Sequence, residues 1–454
     1  MSDQVTEYTL LIVESPVLAK RLQNVAPENV SVLATGGFLW TPTYDSATGK
    51  LGKKANKEKL DLRNELRREA RYAVKIIVAT DSDPSGDFIA WAIHKELKQS
   101  AILRGHLTSV SRSALLQLLH DAARTDFTAL LSRLQNRFKI RHLWFDVHPN
   151  ISIKDAGLIA LFSEPIETLT FRTDNSQVFQ SESSLTTERN QKIEIDPSTE
   201  VGWITSSPLS TFDIVASLQQ SSVGGSYSAA QDLLQKTFEA TDPKTGEGLI
   251  TYPRTEHRSF FSDTWRVMQQ QWIEKRSINE FMPVTLQEEL SPDEAHDAIR
   301  PVNFKLSPQW VETHLPADIG RAYRLIYSHT LNCIKMPDPA ASSYKQPACD
   351  VRFNSTASVE ASRITVQPFL TVSELGNHLC KLGVLRPSGF GSFVDDAITS
   401  NRIVVNDQGD VTPGPIILSM LEFGKRFSTI LTNLHSVADN QALSDETIRH
   451  ILSS

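Results

Sequence analysis

The chain has 454 residues, 40% of them hydrophobic and 22% charged, with a formal net charge of −7. That length suffices for about three or four compact units, and the longest apolar runs, such as Leu10 to Val13, are far too short to cross a bilayer. The acidic balance argues against a surface that attracts nucleic acid everywhere, but it leaves room for a local groove of clustered Lys and Arg.

Residues 8–125 alternate short apolar strands with helical stretches: Tyr8 to Val13 and then a helix from Ser15, Val74 to Thr80 and then a helix from Gly86 to Lys98. This is the rhythm of an α/β domain with a mostly parallel sheet. Two acidic motifs sit at strand C-terminal ends, where such sheets place their sites. In the first, Leu11-Ile12-Val13 runs into Glu14, with Ser15 suited to an N-cap and Pro16 to the first helical position. In the second, Asp81 and Asp83 follow Ile76 to Thr80 and can aim at one hard cation, for which magnesium is the expectation. A pair of N-cap aspartates is the plainer alternative, and Glu14 on a neighbouring strand favours the metal. The stretch Lys50 to Lys75, with Leu60, Leu62, Leu66 and Ala70 among its charges, reads as an amphipathic helix with a solvated face.

Residues 126–165 read as helical, with a break at Pro165. Residues 166–207 turn β-rich, with Thr168 to Arg172 and Lys192 to Ile195 as short strands, and a similar stretch returns at Ser342 to Val366. Together they suggest one discontinuous β-rich domain. A helical insertion at 208–313 would interrupt it, 314–369 would add a helix and the second β-rich piece, and 370–454 reads as helical. Within the insertion, Gly248 to Thr255 is strand-like, so Tyr252 and Arg254 point to one side and can face one phosphate together. Cys333, Cys349 and Cys380 are widely spaced and form no CxxC pair, so neither zinc nor a disulfide framework is expected. Met1 to Glu7 lacks the basic and apolar regions of a signal peptide, and the expectation is a cytoplasmic protein without membrane partners.

These segments resemble, in order, the motifs of the type IA DNA topoisomerases. Ile12 to Pro16 resembles IVESP, Ala34 to Gly37 the ATGGH segment, and Ala79 to Asp83 with Ile89-Ala90-Trp91 the Toprim motif ATDPDREGEAIAW. Gly248 to Thr255 is similar to GLITYPRT, Ala295 to Pro301 to HEAIRP, Tyr323 to Tyr327 to the segment after it, and Arg386-Pro387-Ser388 to RPST. The resemblance spans residues 8 to about 400. It implies a multidomain toroidal core: a Toprim α/β domain at 1–125, helical parts, and a discontinuous β-rich hinge that carries the tyrosine domain.

The implied chemistry is ATP-independent passage of single-stranded or underwound DNA, by a monomer, through a 5′-phosphotyrosyl intermediate. Tyr252 would be the nucleophile, Arg254 would stabilise the phosphate, and Glu14 would be general acid and base. His296 would hydrogen-bond the phosphate, Glu14, Asp81 and Asp83 would bind Mg2+, and Arg300, Arg386 and Ser388 would contact DNA. Some positions depart from the pattern: Leu18 stands where ESPAK has lysine, Ser85 where the acidic series has its third carboxylate, Pro84 for arginine and Phe38 for histidine. The competing readings are a weakened or inactive DNA-binding protein on the same fold, and a Toprim nuclease or primase. The last explains neither GLITYPRT nor AHDAIRP.

Overall fold

The computed structural model describes residues 8–81, 83–97, 102–163, 167–172, 178–182, 208–221, 225–276, 286–287, 296–334, 360–365, 370–438 and 443–454. The expected strand at Lys192 to Ile195, most of Ser342 to Val366, and Cys349 lie outside them.

The N-terminal sheet is built from β1 (Thr9–Val13), β2 (Val30–Ala34), β5 (Lys75–Val78), β6 (Ile102–Arg104) and β7 (Ala123–Arg124), in the order β2-β1-β5-β6-β7. All pairs are parallel except β7 on β6. Such a sheet is covered on both faces, and its strands therefore read as unbroken apolar runs. Alternation divides those runs: Leu11, Val13 and Ile77 join the main core, whereas Leu10, Ile12, Ile76 and Val78 join a second core with Phe88 and Trp91. Helices α1 (Pro16–Val25), α2 (Leu60–Ala70), α3 (Pro84–Leu97) and α4 (Arg112–Asp121) accompany it. The expected helix across Lys50 to Lys75 is shorter than its periodicity suggests. Its first part is strand β4 (Lys50–Ala55), paired antiparallel with β3 (Trp40–Asp45), because the alternation around Leu51 buries one face of a hairpin.

Two helices, α5 (Phe127–Val147) and α6 (Ile153–Ser163), fill the expected helical segment. Beyond it, β8 (Glu167–Arg172) pairs antiparallel with β9 (Val178–Glu182) and with the strand Glu360–Thr365. The two β-rich pieces of the sequence thus meet in one sheet. Between them lie α7 (Thr211–Gln220), α8 (Tyr227–Glu239), α9 (Ser262–Arg276), α10 (Pro308–His314) and α11 (Ala317–Ile334). The expected boundary at 313 cuts α10, and the helical unit continues to the end of α11. Tyr323 donates to the Leu306 carbonyl at 2.8 Å and Tyr327 to that of Phe304 at 3.2 Å, which fastens α11 to this unit. Residues 370–454 hold α12 (Val372–Lys381), α13 (Phe390–Thr399) and the helices Gly424–Ala438 and Asp445–Ser453, together with a three-stranded sheet the sequence reading did not anticipate. Its strands are only two to four residues long, too short for a periodic signal.

The tyrosine-bearing helices lock onto this C-terminal part through α8 and α13. Asp395 accepts from the Tyr227 and Ser228 amides at 3.0 and 2.8 Å, satisfying first-turn donors that no helix can satisfy itself. Gly391 permits the approach, since a Cβ there would stand 2.4 Å from the Tyr227 carbonyl oxygen. Gly391→Ala is expected to cost about 1–3 kcal/mol by overpacking. A urea melt checks it: the midpoint should fall without a change in slope.

Candidate active site

Strand β1 delivers Glu14 to the sheet edge, and Ser15 caps α1 by accepting from the Leu18 amide at 3.2 Å. Leu18 itself turns inward, 7% exposed, into the main core. Strand β5 delivers Asp81 beside Glu14, and the Asp81 amide lies 3.4 Å from the Glu14 carboxylate. Asp83 accepts from the Ser85 and Gly86 amides, both at 2.9 Å, so the plainer N-cap role is realised for this aspartate. Gly86 is obligatory, because a Cβ would stand 2.0 Å from the Asp81 carbonyl oxygen.

The tyrosine segment is not a strand. Its backbone bends and pairs piecemeal: the Thr251 amide donates to the Arg300 carbonyl at 2.9 Å, and the Tyr252 amide to that of Thr108 at 3.0 Å. Tyr252 and Arg254 nonetheless reach the same acidic edge. Arg254 forms an ion pair with Asp81 and lies 4.0 Å from Asp83, across 173 residues of sequence in the case of Asp81. The Tyr252 ring is buried, stacked on His296 at 4.1 Å and edge-on to Phe238 at 5.8 Å.

Electrostatics follow from this crowding. Burial, followed by the charges of Asp81 and Asp83, pushes the Glu14 carboxyl up to about 8. Burial and the neighbouring Asp81 carboxylate hold the Tyr252 phenol well above its ordinary range. His296, in an irregular segment, is driven by burial down to about 3, with His106 and His257 adding repulsion. His106, edge-on to His296 at 6.3 Å, is lowered to about 4, again by burial first.

This pair yields a pH prediction. Both histidines bind protons less readily folded than unfolded, so their contribution is intact above the ordinary histidine value near 6.5 and is lost as pH falls toward 4. Melting temperature should therefore drop between pH 6.5 and 4, and drop less steeply in a His106→Asn/His296→Asn double variant.

Tyr252, Arg254, Asp83, His296, Arg386 and Ser388 line one cleft of about 830 Å³. Arg300 does not. Its guanidinium turns toward Asp297 at 3.5 Å and Thr264 at 3.4 Å, while its amide donates to the Thr251 hydroxyl, so here it braces the tyrosine segment. Sequence reasoning missed four arginines of the cleft wall: Arg104, Arg124, Arg133 and Arg137. Arg133 and Arg137, one helical turn apart on α5, carried a signal in their spacing. Arg104 carried none. It is buried beneath the acidic loop and donates to the carbonyls of Thr80 at 2.8 Å and Asp81 at 2.9 Å, and to Asp87 at 3.2 Å.

The donor set at the sheet edge consists of carboxylate oxygens only, crowded enough that Asp81 and Asp83 raise Glu14, and it fits a hard divalent cation. Among the described residues, no three such groups are gathered into a finished shell. No helix of the described residues is long and apolar enough to span a membrane.

A family model described as the Toprim domain matches residues 9–112. DNA topoisomerase 1 of Rickettsia prowazekii (strain Madrid E) is 25% identical over 400 residues, covering 71% of this chain and 50% of that protein. DNA topoisomerase 1 of Campylobacter jejuni is 22% identical over 390 residues, covering 72% and 55%. The chain thus spans about half the length of these relatives. In fold it is similar to full-length topoisomerase I from Thermotoga maritima, with a TM-score of 0.64 at 16% identity, covering 98% of this chain and 89% of that one. The chain therefore carries a Toprim domain at residues 9–112, and beyond it is similar in sequence to proteins named DNA topoisomerase 1 and in fold to a topoisomerase I.

Proposed function

We propose that the chain cleaves single-stranded or underwound DNA through Tyr252, passes a strand and religates without ATP. The observation that carries this reading is the meeting of Tyr252 and Arg254 with Asp81 at the Toprim edge, in a cleft walled by arginines. The Tyr252 oxygen attacks phosphorus and its proton passes to the Asp81 carboxylate beside it. The P–O3′ bond breaks, and Glu14, which holds a proton near neutral pH, delivers it to the departing 3′ oxygen. Religation runs these transfers backwards, the phosphotyrosyl bond having stored the energy. Arg254 meets the charge developing on the phosphate. His296 fixes the tyrosine ring by stacking and, being neutral, can donate one hydrogen bond to the phosphate.

Glu14, Asp81 and Asp83 would hold a divalent cation, Mg2+ by preference, whose chemistry is to neutralise phosphate charge. Arg386 and Ser388, with Arg124, Arg133 and Arg137 opposite, would bind the backbone of the strand. The protein would act as a monomer in the cytoplasm, on the nucleoid in a bacterium, without zinc.

An end-labelled oligonucleotide tests the reading. Incubated with the full chain and denatured in detergent, it should leave a protein-linked fragment and a fragment ending in a free 3′-hydroxyl. Absence of any adduct across a wide range of Mg2+ concentrations, with negatively supercoiled plasmid left untouched, would sink the proposal.

A further inference from the structure

Two guanidiniums face the acidic loop, and they differ in freedom. Arg104 is 8% exposed and tied to the backbone of Thr80 and Asp81, so it is a fixed brace. Arg254 lines the cleft with its side chain 31% exposed, and its partners Asp81 and Asp83 are carboxylates expected to bind the cation. Arginine does not lose its proton in proteins, so a cation at Asp81 would stand beside a fixed positive charge and is disfavoured until the guanidinium moves away. A phosphate gives the guanidinium somewhere to go, since its oxygens match the guanidinium fork.

We infer that Arg254 is a gate on the metal site: paired with Asp81 it keeps a divalent cation out, and a DNA phosphate draws it away and admits the cation. The inference rests on the proposed function for the identity of the anion. Arg254 is seated on Asp81 and within 4.0 Å of Asp83, so it occupies the side of both carboxylates that faces the cleft. Binding is then ordered, DNA before metal, and by linkage each must tighten the other by the same factor.

Mn2+ serves as the probe, its free fraction read by electron paramagnetic resonance, with the oligonucleotide's own Mn2+ binding subtracted. The free full-length chain should bind Mn2+ weakly, and a single-stranded oligonucleotide on the Tyr252→Phe protein should tighten binding about tenfold or more. Arg254→Gln without DNA should bind as tightly as that complex, and DNA should then add little. Arg254→Lys, whose point charge cannot fork, should fall between and guards against a folding artefact in the first variant. Unchanged Mn2+ affinity in both Arg254 variants overturns the inference, as does tight binding to the DNA-free wild type. Metal binding needs no cleavage, so the gate can stand while the proposed function fails, and the two failures are told apart.

Discussion

Tyr252→Phe is expected to abolish the covalent adduct, lowering its formation by more than about 10⁴-fold, while single-stranded DNA affinity stays within about threefold. The substitution removes one oxygen and keeps the ring. The ring is what packs: it stacks on His296 at 4.1 Å and meets Phe238 edge-on at 5.8 Å. The lost hydroxyl contacts an Asp81 carboxylate that remains paired with Arg254, so no buried charge is left alone. Stability should therefore change by only about 1 kcal/mol. The measurement is a trapping gel run beside a fluorescence-anisotropy titration with the same oligonucleotide. A DNA-binding protein without catalysis predicts no change in either. If wild type forms an adduct and Tyr252→Phe forms it equally well, the nucleophile is another residue.

The parts of this site legible in the sequence are those fixed by local chemistry. The strand ending at Glu14 and the Ser15 cap are written in neighbouring residues, and the structure realises both, whereas the helix expected from Gly86 starts two residues earlier at Pro84. The shared face of Tyr252 and Arg254 was legible in outcome but not in cause, since the segment pairs piecemeal with residues 108 and 300 instead of joining a sheet. The direction in which Arg300 turns was not legible, because a motif records that a residue is present and not which way it points. Arg104 was invisible: a lone arginine in a three-residue strand looks like a solvated edge, and only the β5–β6 pairing puts it beneath Asp81.

Glu14→Gln is expected to slow both cleavage and religation by about 10²–10⁴-fold, the usual share of a positioned general acid or base. Glutamine keeps the size and can still face the Asp81 amide, so the change removes the transferable proton and little else. The pH dependence carries the sharper test. Because Glu14 is raised to about 8, it is protonated in the DNA-free protein near neutrality, and cleavage should fall as pH rises through that value. The variant should lose this limb and show a flat profile. Stability follows the same proton with a definite sign. A carboxyl that holds its proton more tightly folded than unfolded contributes stability fully present below its ordinary value near 4.5, and loses it as pH climbs toward 8. Glu14→Gln should therefore melt higher than wild type at pH 8.5, by a margin that shrinks toward pH 5. Rates of single-turnover cleavage and melting temperatures over that range give both curves. A pH-independent margin would mean that the proton on Glu14 does not shape the site, and the acid–base role would have to be given up.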